Sequence, residues 1–241
     1  MQRVVMQRVF ASSLLCAAVL MVPSTILAQN PPAGAIFDLA TANPGLVSQT
    51  ETLFSTTFVA ATTQTFISFA FREVPAYWAL DDTSVVLNGT STNLLANPGF
   101  ESATVGQNVP TSWNRWIQPI DVSAIGVVVS NASPGGCGTD TPTHGGTQFW
   151  CDGSVEGYDA VYQQIATTVG QTYNISWYLG HSTGAAPSAP GIDMLVYATT
   201  DLPVGTVPVG GVPEPATWSM MGAGMLVMGF VGYKRRQTAR G

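Results

Sequence analysis

The chain has 241 residues, with 8 Lys and Arg against 14 Asp and Glu, a formal net charge of −6. Only Arg72 and Arg115 lie between residues 29 and 215, together with all fourteen acids, so that stretch carries −12 and no lysine. Such a surface repels phosphate backbones and anionic lipid, which excludes nucleic-acid binding.

At the N-terminus, Arg3 and Arg8 precede an apolar run over residues 10–20, and Ile26-Leu27-Ala28 supplies a small-residue cleavage site. This predicts a cleaved signal peptide over residues 1–28, hence export. Pro23, Ser24 and Thr25 interrupt the apolar stretch and argue against a permanent anchor. Cys16 leaves with the signal. Met1-Gln2-Arg3-Val4 recurs as Met6-Gln7-Arg8-Val9, so translation has two candidate starts.

Residues 29–211 form the predicted ectodomain, long enough for one ample core. Ile67, Phe69 and Phe71 alternate with Ser68, Ala70 and Arg72, and Tyr173, Ile175, Trp177 and Leu179 repeat the pattern. Period-two alternation of this kind predicts half-buried strands. Residues 83–87, 127–129 and 192–197 are further strand candidates. Short strands separated by Gly, Pro, Asn and Ser predict an all-β fold, an antiparallel sandwich.

Two motifs within this body carry a resemblance. Asn93-Leu94-Leu95-Ala96-Asn97-Pro98-Gly99-Phe100-Glu101 resembles the opening strand of galactose-binding-like jelly rolls, the fold of many carbohydrate-binding modules. Leu80-Asp81-Asp82-Thr83-Ser84-Val85 resembles their closing strand, and here it comes first in the chain. The resemblance implies a jelly-roll-like sandwich with rotated strand order, residues 35–90 supplying the closing strands and 93–209 the main part. Two truncated modules are the alternative, although the first segment alone would bury only a marginal core. The family commonly holds a structural calcium where first and last strands meet. Asp82 and Glu101 occupy the matching positions, and their hard oxygens suit Ca²⁺; as plain residues they would be a strand end and a solvated turn. No cofactor is otherwise required.

Cys137 and Cys151 are an even pair in an exported chain and read as one disulfide. Trp116, Trp150 and Tyr158 fall outside the clearest alternating strands and are candidates for stacking on sugar rings, with core filling as the competing role. Little in the sequence supports an enzyme. His144 and His181 are the only histidines, and no nucleophile elbow, phosphate loop or paired metal motif is present. Asp152 with Glu156 or Asp159 is the one carboxylate pairing that glycoside hydrolysis could use.

The tail reads differently. Val212-Pro213-Glu214-Pro215 precedes residues 216–233, which contain no ionisable side chain at neutral pH, and Lys234-Arg235-Arg236 follow. Eighteen helical residues at ~1.5 Å each span ~27 Å, close to a bilayer core of ~30 Å. Trp218 and Tyr233 suit the interfaces, and the three cations make a cytoplasmic stop. Residues 212–241 resemble the PEP-CTERM sorting signal of Gram-negative bacteria. That resemblance implies an exosortase-type protease as processing partner, an inner-membrane-anchored precursor with a periplasmic body, and delivery to the cell envelope or beyond. It further implies a structural surface role in exopolysaccharide or biofilm, the alternative being a non-catalytic carbohydrate-binding module with extracellular polysaccharide as ligand.

Overall fold

The computed structural model describes residues 30–42, 51–73, 76–119, 126–137, 144–182 and 192–209. The expected signal peptide, sorting motif and transmembrane helix over 216–233 lie outside these. Among the described residues no helix is long and apolar enough to cross a membrane.

Among the described residues, eleven strands and two short helical turns follow in order: β1 (Phe37–Asp38), α1 (Leu39–Ala42), β2 (Thr52–Val59), β3 (Gln64–Arg72), β4 (Trp78–Leu87), β5 (Asn114–Ile117), β6 (Val127–Ser130), a 3-10 turn (Gly135–Cys137), β7 (Gln148–Asp152), β8 (Asp159–Ala166), β9 (Thr172–His181), β10 (Asp193–Thr199) and β11 (Val207–Val209). A six-stranded sheet runs β1-β10-β3-β8-β5-β11, and a five-stranded sheet runs β2-β9-β4-β7-β6. Every pairing is antiparallel. Each described strand from before residue 90 pairs only with later ones, and the largest buried cluster draws on both segments.

Alternation explains the five-stranded sheet. In β9, Tyr173, Ile175, Trp177 and Leu179 turn inward while Asn174, Ser176 and Tyr178 stay partly exposed. Phe54 and Phe58 do the same on β2. From the other sheet Phe69, Phe71, Val161, Met194 and Val196 complete the cluster. Aromatic edges fix the contact, with Phe69 5.8 Å and Phe37 5.0 Å from Trp177.

The six-stranded sheet is buried on both faces at its centre, as β8 and β10 show. Its second face carries Ala70, Trp116, Tyr158, Ala160, Leu195 and Tyr197, with Ala35 and Leu202 packed against them. The chain before β1 is tied down there: Tyr197 Oη donates to Pro32 O at 2.7 Å, and Gln118 Nε2 to Asn30 O at 3.1 Å. A satellite cluster around Phe149 and Val129 holds the disulfide Cys137–Cys151, with its Cα atoms 5.9 Å apart.

Residues 93–101 correct the sequence expectation, since they form a run of turns rather than an opening strand. Local chemistry explains the difference. Asn93 Oδ1 accepts from Val85 N and Leu95 N, Pro98 lacks a donor, and Asn97 and Phe100 sit at φ +49° and +60°. The two motifs nevertheless lie side by side, Leu94 N donating to Val85 O at 2.8 Å and Thr83 N to Pro98 O at 3.1 Å.

Candidate functional site

The junction of those motifs gathers acids on the five-stranded sheet. Register between β4 and β9 shifts between Asp81 and Ser84, and Asp82 takes φ +42°, a left-handed conformation that Asp tolerates. This bulge aims two successive carboxylates at the segment 144–148. Asp81 is fully buried; its Oδ1 accepts from Asp82 N at 2.7 Å, and its Oδ2 from His144 N at 3.0 Å and Gly145 N at 3.2 Å. Asp82 Oδ2 meets His144 Nδ1 at 2.7 Å, and the imidazole stacks on Tyr178 with ring centroids 3.3 Å apart. Glu101 accepts from Thr147 N at 2.7 Å, Gln148 N at 2.8 Å and Thr147 Oγ1 at 3.1 Å.

Gly145 and Gly146 make this approach possible. A Cβ on Gly145 would stand 2.5 Å from Asp82 Oδ2, and one on Gly146 2.1 Å from Glu101 Oε1. The sequence-predicted pair, Asp82 and Glu101, is therefore brought to one glycine dipeptide. Both carboxylates are engaged by protein donors. Among the described residues no group of three His, Cys, Asp or Glu side chains is placed to hold a metal ion.

Burial, then the charges of Asp81 and Asp82, push Glu51 from 4.5 up to about 8. Burial likewise raises Asp81 from 3.8 to about 7, against the pull of three backbone N–H donors. Glu51 and His144 escaped the sequence reading because neither is near Asp82 in the chain. The one available signal was the bare Gly145-Gly146 dipeptide.

A second polar network lies where β3, β7, β8, β9 and β10 reach the same end of the sandwich. Arg115 donates to Asp159, and both are buried; the guanidinium sits 5.6 Å from the Trp150 ring centroid. Asp152 lies beside Asp159 and accepts from Trp150 Nε1 at 2.9 Å. Burial raises both aspartates, and for Asp159 the neighbouring Asp152 adds to the rise while Arg115 opposes it. Nearby, Tyr158 Oη donates to Asp193 Oδ2 at 2.8 Å beneath Arg72, and His181 Nε2 meets Glu73 Oε2 at 2.8 Å.

These positions correct the sugar-stacking expectation. Trp116, Trp150 and Tyr158 are 0%, 0% and 1% exposed, and each polar atom is satisfied inside, Trp116 Nε1 by Ser68 Oγ at 3.1 Å. A ring with no exposed face cannot stack on a pyranose. Asp152 and Asp159 are fully buried too. The sequence missed this because Trp116 and Trp150 lie on the short strands β5 and β7, whose burial patterns do not alternate, and Tyr158 immediately precedes β8.

Comparison with known proteins bears on the tail. Residues 211–236 match the family model of the PEP-CTERM protein-sorting motif. They include Val212, Pro213, Glu214 and Pro215 and the basic stop Lys234, Arg235 and Arg236. The motif marks the chain as an exported protein sorted by exosortase, bound for the cell envelope or outside. No curated protein and no solved structure matches the chain.

Proposed function

We propose that this protein is a non-catalytic structural component of the envelope or extracellular matrix, within exopolysaccharide or biofilm. Its precursor is held in the inner membrane by residues 216–233, with the body on the periplasmic side until exosortase releases it. One observation carries the structural reading. All five described tryptophans, Trp78, Trp113, Trp116, Trp150 and Trp177, are no more than 3% exposed. Their apolar area is spent on the core, and what faces solvent on the five-stranded sheet is mostly Ser, Thr and Asn.

The test compares cells producing the native chain with cells in which residues 212–215 are alanine. The native protein should appear outside the inner membrane with its mass ending before the apolar stretch, and the variant should stay in the membrane with its tail intact. A surface form still carrying Arg240 would overturn the processing scheme.

Carbohydrate binding is the second reading, favoured by the hydrogen-bonded adjacency of the two jelly-roll-like motifs. Polysaccharide pull-down with the purified protein, with 2 arms of added Ca²⁺ or chelator (~mM, a typical extracellular range), separates the readings. Retention that requires calcium, together with a calcium-dependent melting temperature lost in Glu101→Gln, would support a glycan module with Asp82 and Glu101 as metal ligands. No retention in either arm supports the structural role.

A further inference from the structure

Four strands form the edges of the two sheets, and three are blunted. β1 has two residues and runs into α1. β11 has three, one of them Pro208, which donates no hydrogen bond. β6 is covered, Val128 N donating to Gln107 O at 2.9 Å and Gly106 N to Val128 O at 2.8 Å. β2 is the exception. It has eight residues, Thr-Leu-Phe-Ser-Thr-Thr-Phe-Val, with no charge, no proline and a regular register against β9. Natural sheets defend long edges with lysine, proline or a bulge, and β2 has none of these.

Its backbone polarity can be read from its end. Ala60 N donates to Gln171 O at 2.9 Å, and Ala60 O accepts from Gly170 N at 2.8 Å, so Ala60 faces the β9 side. Antiparallel alternation then turns Leu53, Ser55, Thr57 and Val59 outward with both backbone groups. None of these four makes a backbone hydrogen bond to a described residue other than through the β2–β9 ladder. Their side chains are exposed as well, Leu53 at 55% and Val59 at 62%.

We infer that β2 is a self-association edge that pairs antiparallel with β2 of a second copy about a two-fold axis at Thr56. In that register Phe54 lies opposite Phe58 of the second copy on the core side. Leu53 lies opposite Val59 and Ser55 opposite Thr57 on the outer side. The outward-facing backbone groups become the hydrogen-bonded pairs, and Thr56 meets Thr56 at a non-hydrogen-bonded position. A slip of one residue would set Leu53 against a core-facing side chain, so the apolar pattern fixes the register. The interface is isologous and closes at two copies. Residues 29–215 carry a net charge of −12, so an uncharged strand is also where two copies meet with least repulsion.

The full chain in detergent, analysed by sedimentation equilibrium, tests this. The native chain should show a concentration-dependent dimer. S55K/T57K sets like charges opposite each other across the axis and should weaken it at least ~10-fold, since like charges directly opposite are destabilising. S55K/T57E sets opposite charges there and should restore it. Both variants leave the membrane tail untouched and alter only exposed side chains, so association through the tail would not respond. A monomer at all concentrations, or a dimer indifferent to S55K/T57K, overturns the inference; an edge already paired within its own chain would give the first result.

Discussion

Replacing Arg115 by methionine is the most searching perturbation of this fold. Arg115 is 1% exposed, and its partner Asp159 is fully buried. Removing one member of a buried ion pair leaves the other charge uncompensated, at a cost of ~3–5 kcal/mol, a large share of a total stability of ~5–15 kcal/mol. The lost guanidinium contact with Trp150 adds ~1–2 kcal/mol. The pH dependence is the diagnostic part. Burial raises the folded pKa values of Asp152 and Asp159 above the ordinary 3.8, so their protonated forms stabilise the fold fully below that value. That contribution is lost as pH rises through the folded pKa. Arg115 opposes the rise, so R115M moves the folded pKa of Asp159 higher and enlarges the loss. Urea unfolding followed by tryptophan fluorescence, with the disulfide intact, should show a small deficit near pH 4 and the full deficit near pH 8. R115M/D159N should recover most of it, because a neutral amide needs no counter-ion. A deficit below ~0.5 kcal/mol at pH 8, the usual range for a surface change, or one equal at both pH values, would refute the reasoning.

Cys137→Ser with Cys151→Ser opens a loop of 14-residue separation and should cost ~3 kcal/mol by the chain-entropy account; the native protein freed of its signal peptide should show no thiol by Ellman titration. Glu51→Gln removes a carboxyl that burial pushes from the ordinary 4.5 up to about 8 in the folded state. The native protein therefore loses stability between those values, and the variant's melting temperature should match it near pH 5 and exceed it near pH 8.5. A gap that stays constant with pH would count against the acid cluster. Substituting Trp116→Phe should lower the melting temperature without changing polysaccharide retention, since the ring is buried; a loss of retention at unchanged stability would contradict its placement.

The strands that sequence patterning exposed are those of the half-wet sheet and two from the two-sided sheet, β3 and β10. Tyr173 to Leu179 and residues 83–87 alternate because one face meets water. β3 was found through Ile67, Phe69 and Phe71, although its opposite face is also covered. β8 was invisible, because Ala160, Val161 and Tyr162 are all buried and leave no period to count. β2 was legible in principle from Phe54 and Phe58, whose side chains alternate with exposed Leu53, Ser55, Thr57 and Val59. The candidate site was half legible. Asp82 and Glu101 came from two local motifs, whereas Glu51 and His144 join them only through pairing across the sheet. The aromatic ligand candidates failed for a general reason: position outside an alternating strand indicates that a residue is not on a half-wet sheet, and says nothing about exposure.

The inward placement of Arg115, and the packing of Arg72 over Tyr158, has a consequence for survival outside the cell. Residues 29–211 contain no lysine, and these two arginines are their only cations. Proteases that cut after basic residues therefore find almost nothing to seize on the folded surface, and they reach those two bonds only after the sandwich opens. The same economy leaves the body without a side-chain amine, so amine-directed cross-linking in a crowded matrix has no lysine there to capture.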